Sequence, residues 1–219
     1  MKRHQKNTNL LLHHDNTYQD LPVMENKGPF VSNHLSQLFT VMLSALVRHR
    51  RIYAIRFDLC LPTDKSMHPS DALTNNVIKR FFASFKEKIK HDRKKAISIN
   101  NRAHNSDVLY AWARESASQE QQHYHGIIFL NQDAYNSLGT YELGRKNNYN
   151  RLLESWASAL RIPVEKAVGL VNIPPNATYR IDASDRESLK TFFRRASYLC
   201  KASTKQYGKG QHGFDCSRC

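Results

Sequence analysis

The sequence predicts an α+β domain in which a central antiparallel sheet carries helices packed mainly on one face. Three observations lead there. Helix-period and strand-period segments follow one another as helix, strand, helix, strand, strand, helix, strand, helix. Two of the strands, residues 107–114 and 123–130, flank a polar link from Glu115 to Gln122, as in a hairpin. No apolar run approaches the roughly 18 residues that a membrane-spanning helix needs, so the helices have a core to cover.

Each element follows from its residues. Residues 1–34 are rich in Lys, His, Asn and Asp with isolated apolar positions, and are expected to form a poorly ordered arm or one ordered by docking. A single domain is expected over residues 35–219. Leu35, Leu38, Phe39, Met42, Leu43 and Leu46 recur at helical spacing, and the basic run from Arg48 to Arg51 closes that helix. Residues 52–61 alternate as a strand up to Pro62. Ser70 or Asp71 is expected to cap a long helix whose apolar stripe is Val77, Ile78, Phe81, Phe82, Phe85 and Ile89. After the hairpin come a helix over 149–160, a strand over 168–173 and a last helix from Asp185 to about Lys201, opened by Ser184 or Asp185 with Glu187 near the capping-box position.

Charge narrows the partner. The 219 residues hold 33 Lys+Arg against 19 Asp+Glu, a net +14. With a pI near 9.8 and a mean hydropathy of -0.63, such a chain suits a polyanion, above all nucleic acid. Lys79, Arg80, Lys86, Lys90, Arg93 and Lys94 on the long helix, with Arg194 and Arg195 on the last, are the candidates for DNA phosphates. A solvated lysine face is the alternative for the long helix. Tyr110, Trp112 and Tyr124 fit either base stacking or a core. Four cysteines are too few for a disulfide scaffold, which points to a reduced, cytoplasmic protein. Cys216 and Cys219 form half of a zinc site, Cys60 and Cys200 supply no second half, and free thiols are expected.

The strand His123-Tyr124-His125-Gly126 concentrates the chemistry. Residues i and i+2 of a strand share a face, so two imidazoles stand side by side and can hold one divalent cation. Glu115, brought near by the hairpin, is the nominated third ligand; Gln119, Glu120 and Gln122 are weaker candidates. Asp58 reaches the same place if its strand is central, although a buried Asp bonded to backbone or Arg is the plainer reading. On the last helix, Tyr198, Lys201 and Lys205 fall at three- and four-residue spacings. A phenol is a weak nucleophile at neutral pH, and ammonium groups beside one favour the phenolate and also hold phosphate. The alternative is a core tyrosine with solvated lysines.

An H-hydrophobic-H strand, an upstream Glu and Ser197-Tyr198-Leu199-Cys200-Lys201, in that order within a basic α+β chain, resemble the HUH endonuclease superfamily of rolling-circle initiators, relaxases and transposases. Further strings, among them Arg56-Phe57-Asp58-Leu59, Trp112-Ala113-Arg114-Glu115, residues 131–135 and residues 213–218, resemble the YagK/YfjJ C-terminal-domain family of prophage and filamentous-phage initiator-like proteins. This resemblance runs from about Arg51 to the C-terminus and leaves residues 1–34 outside. It implies a Rep-like palm that nicks and rejoins single-stranded or hairpin DNA at an origin, in replication initiation of a phage, prophage or plasmid-like element in a bacterial cytoplasm. It implies Mg²⁺ or Mn²⁺ on His123, His125 and Glu115, Tyr198 as the nucleophile forming a 5′-phosphotyrosine, and Lys201 and Lys205 assisting it. One tyrosine fits the helix, since Tyr207 lies too far along. No phosphate-binding G-x-x-x-x-G-K-[ST] string is present, so unwinding and synthesis fall to a host helicase and polymerase. The rival expectation is a non-catalytic origin-binding or regulatory module on the same fold.

Overall fold

The computed structural model describes residues 2–5, 7–116, 122–203, 205 and 211–218. Gln119, Glu120, Tyr207 and Cys219, weighed above, lie outside the described residues. The centre is a six-stranded sheet. Its strands are β1 (Arg51–Cys60), β2 (Leu109–Ser116), β3 (Gln122–Asn131), β4 (Val171–Asn172), β5 (Thr178–Asp182) and β6 (Phe214–Cys216). They run antiparallel in the order β5-β1-β3-β2-β6, with β4 pairing the far end of β1. The hairpin β2-β3 forms as the sequence predicts, in a register that sets Glu115 opposite His123 and Ala113 opposite His125. Strand β5 is absent from the sequence expectation. Its residues Thr-Tyr-Arg-Ile-Asp are mostly polar, and its pairing with β1 supplies what its composition does not.

Four α-helices cover the sheet: α1 (Ser32–Arg48), α2 (Asn76–Ile99), α3 (Asn148–Leu160) and α4 (Arg186–Ala196). The α+β class is the one expected, but the helices cover both faces rather than mainly one. Tyr53, Ile55, Phe57 and Leu59 of β1, with Trp112, Tyr124, Ile128 and Leu130, pack under α2 and α3. The alternate residues Ile52, Ala54, Ala111, Ala113, Ile127 and Phe129 pack under α1 and α4. The physical signal is in β3, where Ile127-Ile128-Phe129-Leu130 is apolar without alternation, as a strand buried on both sides requires.

Local chemistry explains where helices begin and end. Asp185 accepts hydrogen bonds from the Glu187 and Ser188 amides, which caps α4 as expected. The cap expected for α2 does not form: Asp71 grips Arg80 instead, and the helix starts at Asn76, whose amide donates to Thr74 Oγ1. The last helix is shorter than the sequence suggests. It gives way at Ser197 to a 3₁₀ turn over Ser197–Cys200, so Lys201 and Lys205 lie beyond it.

The segment set aside as an arm packs onto the α1/α4 layer. Its strand Asn7–His13 pairs with Phe30–Val31, and Leu21, Val23, Met24 and Phe30 are buried there. The Met24 amide donates to Ser197 Oγ at 2.9 Å, the Ala202 amide donates to the Pro29 carbonyl at 2.9 Å, and Phe30 bridges Lys201. Both ends of the 3₁₀ turn are thus tied to the N-terminal segment.

Gly126, directly after the histidines, is required by close packing. A Cβ there would stand 2.3 Å from Phe57 Cζ, and Phe57 is itself wedged against Phe81 and Phe82. Gly126→Ala is therefore expected to cost about 1–3 kcal/mol through overpacking, read as a lowered urea midpoint. Adding Phe57→Leu should recover part of that loss, because the two changes share one contact.

Candidate metal and tyrosine site

The site lies on the α1/α4 face, at the end of the sheet where β1, β2 and β3 meet the turn after α4. His123 and His125 project from β3 to that face, as strand parity dictates. Their rings stand 4.8 Å apart and nearly perpendicular, with the two Nε2 atoms 3.2 Å from each other. Glu115 Oε2 is 3.4 Å from His125 Nε2. One ligand atom from each of Glu115, His123 and His125 lies within 4.8 Å of the others. Gln122, the weaker candidate among the described residues, points elsewhere and donates to the Tyr124 hydroxyl.

Asp58 has a part that the sequence reading did not assign. It is directly opposite His125 across β1 and β3, and its Oδ1 accepts from His125 Nδ1 at 2.5 Å. It bonds neither backbone nor Arg, the expectation for a buried Asp. The contact fixes which nitrogen of His125 carries a proton and leaves Nε2 facing Glu115 and His123, the outer-sphere arrangement that orients a metal-binding imidazole. Burial lowers the pKa of His125, and the Asp58 and Glu115 carboxylates outweigh it, so the net direction is up.

Glu115 is 3% exposed, and two ammonium groups and the His125 imidazole surround it. Its Oε2 accepts from Lys201 Nζ at 2.8 Å, and Lys205 Nζ is 3.9 Å from Oε1. Burial alone would raise its pKa; the bonds from His125 and Lys201 and the charge of Lys205 bring it down to about 2. Lys201 in turn donates to the Tyr198 hydroxyl at 2.6 Å, and its ammonium sits 3.9 Å from the Tyr198 ring centre. The Tyr198 ring stands edge-on to His125 at 5.1 Å. Lys205 does not share a helical face with Tyr198, because helix has ended. Its ammonium is buried, donates to the Leu199 carbonyl at 2.7 Å, and is pushed down to about 8 by burial against the pull of Glu115.

The donor set fits a divalent cation. Two imidazoles and a carboxylate are an ordinary nitrogen and oxygen set for a first-row ion. Glu115 Oε1 is buried with no hydrogen-bond partner among the described residues, and His125 is already oriented by Asp58. An ion on these three side chains would share Glu115 with Lys201.

The structure separates the basic candidates. Arg194 is exposed and Arg195 half-buried on α4, on the site's side of the sheet. The other six lie on α2, across the sheet from the histidines. Arg80 forks Asp71 at 2.5 and 2.8 Å and donates to the Ala159 carbonyl; Arg93 pairs with Asp92 and covers the Tyr135 ring. Those two guanidiniums are structural ties, which helical spacing alone cannot reveal. Lys86 lies over the Tyr110 ring, while Lys79, Lys90 and Lys94 are exposed. Trp112 and Tyr124 are core residues, and Tyr110 stacks on Phe82 at 3.7 Å. Cys60 and Cys200 are free thiols.

Glu115→Gln would leave Lys201 and Lys205 without their counter-charge, at an expected cost of about 3–5 kcal/mol at neutral pH. The wild-type carboxylate, held at about 2 in the fold against an ordinary 4.5, contributes stability that is complete above the higher value. That contribution is lost as pH falls towards the lower one. Denaturant titrations across this range should show an acid slope that is shallower in Glu115→Gln.

Comparison with known proteins gives this geometry a family. The profile of the YagK/YfjJ C-terminal domain matches residues 13–217. It therefore takes in much of the N-terminal segment that the sequence resemblance left out. YfjJ of Escherichia coli (strain K12) is 33% identical over 202 residues, covering 87% of this chain and 96% of YfjJ. YagK of the same strain is 28% identical over 200 residues, covering 87% of this chain and 95% of YagK. No solved structure matches. The chain belongs to the YagK/YfjJ C-terminal domain family.

Proposed function

We propose that this protein is a metal-dependent, tyrosine-using nickase of single-stranded DNA, acting in rolling-circle-type replication initiation as HUH endonucleases do. One observation carries the reading: a continuous chain of contacts runs from a hydroxyl nucleophile to a candidate metal triad. Tyr198 Oη accepts from Lys201 at 2.6 Å, Lys201 pairs with Glu115 at 2.8 Å, Glu115 faces His125 at 3.4 Å, and His125 meets His123 at 3.2 Å.

Tyr198 supplies the attacking oxygen. Its Oη forms a bond to phosphorus as the bond from phosphorus to the 3′ oxygen breaks. The proton lost by the phenol balances the one gained by the departing 3′ hydroxyl. Lys201 donates to Oη throughout, so its ammonium orients the phenol and stabilises the negative charge that develops there. Burial lowers the Lys201 pKa, and its bonds to Glu115 and Tyr198 outweigh this and raise it, which keeps the group a cation and a donor rather than a base. Glu115 holds Lys201 in place, and Asp58 holds His125. A Mg²⁺ or Mn²⁺ ion on His123, His125 and Glu115 would polarise the scissile phosphate and withdraw charge from the leaving oxygen. The linkage conserved on Tyr198 allows the ends to be rejoined, and the free 3′ hydroxyl can prime a host polymerase, with a host helicase unwinding the duplex.

Protein mixed with a labelled single-stranded pool spanning the DNA beside its gene, with Mn²⁺ or EDTA, is run on a denaturing gel. A covalent protein–DNA band is expected with Mn²⁺ only, absent in Tyr198→Phe and His125→Ala. Lys201→Ala should slow its formation by about 10²–10³-fold. Asp58→Ala should weaken Mn²⁺ binding by about 10–100-fold in calorimetry. No band on any tested strand, with salt-sensitive binding intact, would replace this reading with the non-catalytic DNA-binding module.

A further inference from the structure

Arg56 belongs to none of the interactions described so far. It projects from β1 on the same face as Asp58, two residues away, and is 3% exposed. Its Nε and Nη1 are buried and have no hydrogen-bond partner among the described residues. A buried guanidinium without a carboxylate is costly, because its hydration is lost and nothing replaces it. The nearby carboxylate, Asp58, offsets part of that cost through its charge but makes no hydrogen bond to Arg56: Oδ1 accepts from His125, and Oδ2 from Asn172 Nδ2 at 3.3 Å. A second cation makes matters worse. The Arg195 side chain is close enough to act electrostatically on Arg56 and on the neighbouring Tyr179 hydroxyl. The Arg56 guanidinium carbon lies 5.7 Å from the centre of the Tyr198 ring.

Resting on the reading of Tyr198 as the group that meets the strand, we propose that Arg56, with Arg195 beside it, is a second anion-holding point of this site, taking a backbone phosphate of single-stranded DNA next to the one attacked. Two guanidiniums that repel each other are both satisfied by one phosphate between them, and Arg offers the forked donors that phosphate oxygens match. The position follows from the tyrosine that both cations contact. Lys201 holds the Tyr198 hydroxyl at 2.6 Å and lies 3.9 Å from its ring centre, and Arg56 lies 5.7 Å from the same centre, so a strand laid over the tyrosine meets both cations. Tyr198 and Arg195, which act electrostatically on the guanidinium, are themselves half-buried rather than sealed; entry of the phosphate requires them to move aside.

The test separates binding from cleavage. In a Tyr198→Phe background with EDTA, the affinity for a fluorescent single-stranded oligonucleotide is measured over a range of salt. Arg56→Met is expected to weaken binding about tenfold at low salt. It should also reduce the slope of log affinity against log salt by about 0.7, the signature of one lost phosphate contact on a single strand. Its melting temperature should equal or exceed that of the parent, because an uncompensated buried charge has been removed. Unchanged affinity and slope, with a lowered melting temperature, would make Arg56 a packing residue and overturn the proposal. A measurement that needs no Arg56 variant is the melting temperature of wild-type protein with inorganic phosphate against chloride at equal ionic strength. Phosphate should raise it, and less so in Arg195→Gln; an equal rise in both, or none, overturns the proposal. If wild-type protein forms no covalent adduct but the Arg56 effect on slope is present, the nickase reading fails and this subsite stands. If the adduct forms and the slope is unmoved, the subsite fails alone.

Discussion

A single buried carboxylate joins the sheet to the turn that follows α4. Glu115 enters from β2, opposite His123, and receives Lys201 and Lys205 from a stretch of chain that has already left its helix. A carboxylate so deep cannot stay ionised without cations, and the ammonium groups cannot stay charged without it, so each demands the others. Lys201 then fixes the Tyr198 hydroxyl at 2.6 Å. The orientation of that phenol depends on strand register two contacts away.

The sequence makes part of this site legible and hides the rest for identifiable reasons. Parity along a strand is a strong rule, and it puts His123 and His125 on one face without further information. Hairpin closure brings Glu115 to them by the same geometry. The role of Asp58 is different: it requires β1 to lie beside β3, a non-local pairing that local pattern does not encode. Arg56 stays hidden for the same reason, since nothing in a ten-residue strand says which polar positions will be left without partners. Lys205 was placed on a helical face because the spacing suits one, yet the chain turns to 3₁₀ at Ser197 and the lysine arrives by another path.

At the level of the fold, the apolar stripe of α2 is read correctly because it is periodic over several turns, whereas in α1 the expected Leu43 is exposed and Val41 and Ala45 are buried with Leu35, Leu38, Met42 and Leu46. The layer arrangement is missed because covering both faces of the sheet is a property of the whole chain. The way the N-terminal segment docks is hidden for a related reason. Leu21, Val23, Met24 and Phe30 are scattered among polar residues, so no period marks them, and their burial is decided by the surface that α1 and α4 present. Its polar neighbours remain on the outside, which is why composition reads as an arm.

The attachment of that segment has a consequence for how this protein can be handled. Through the Met24 amide on Ser197, the Pro29 carbonyl and the Phe30 bridge to Lys201, the first thirty or so residues brace both ends of the tyrosine-bearing turn. Trimming the chain to its periodic region would remove the scaffold of this turn while leaving every candidate site residue in place. The N-terminal segment thus acts as a splint on the turn that carries Tyr198.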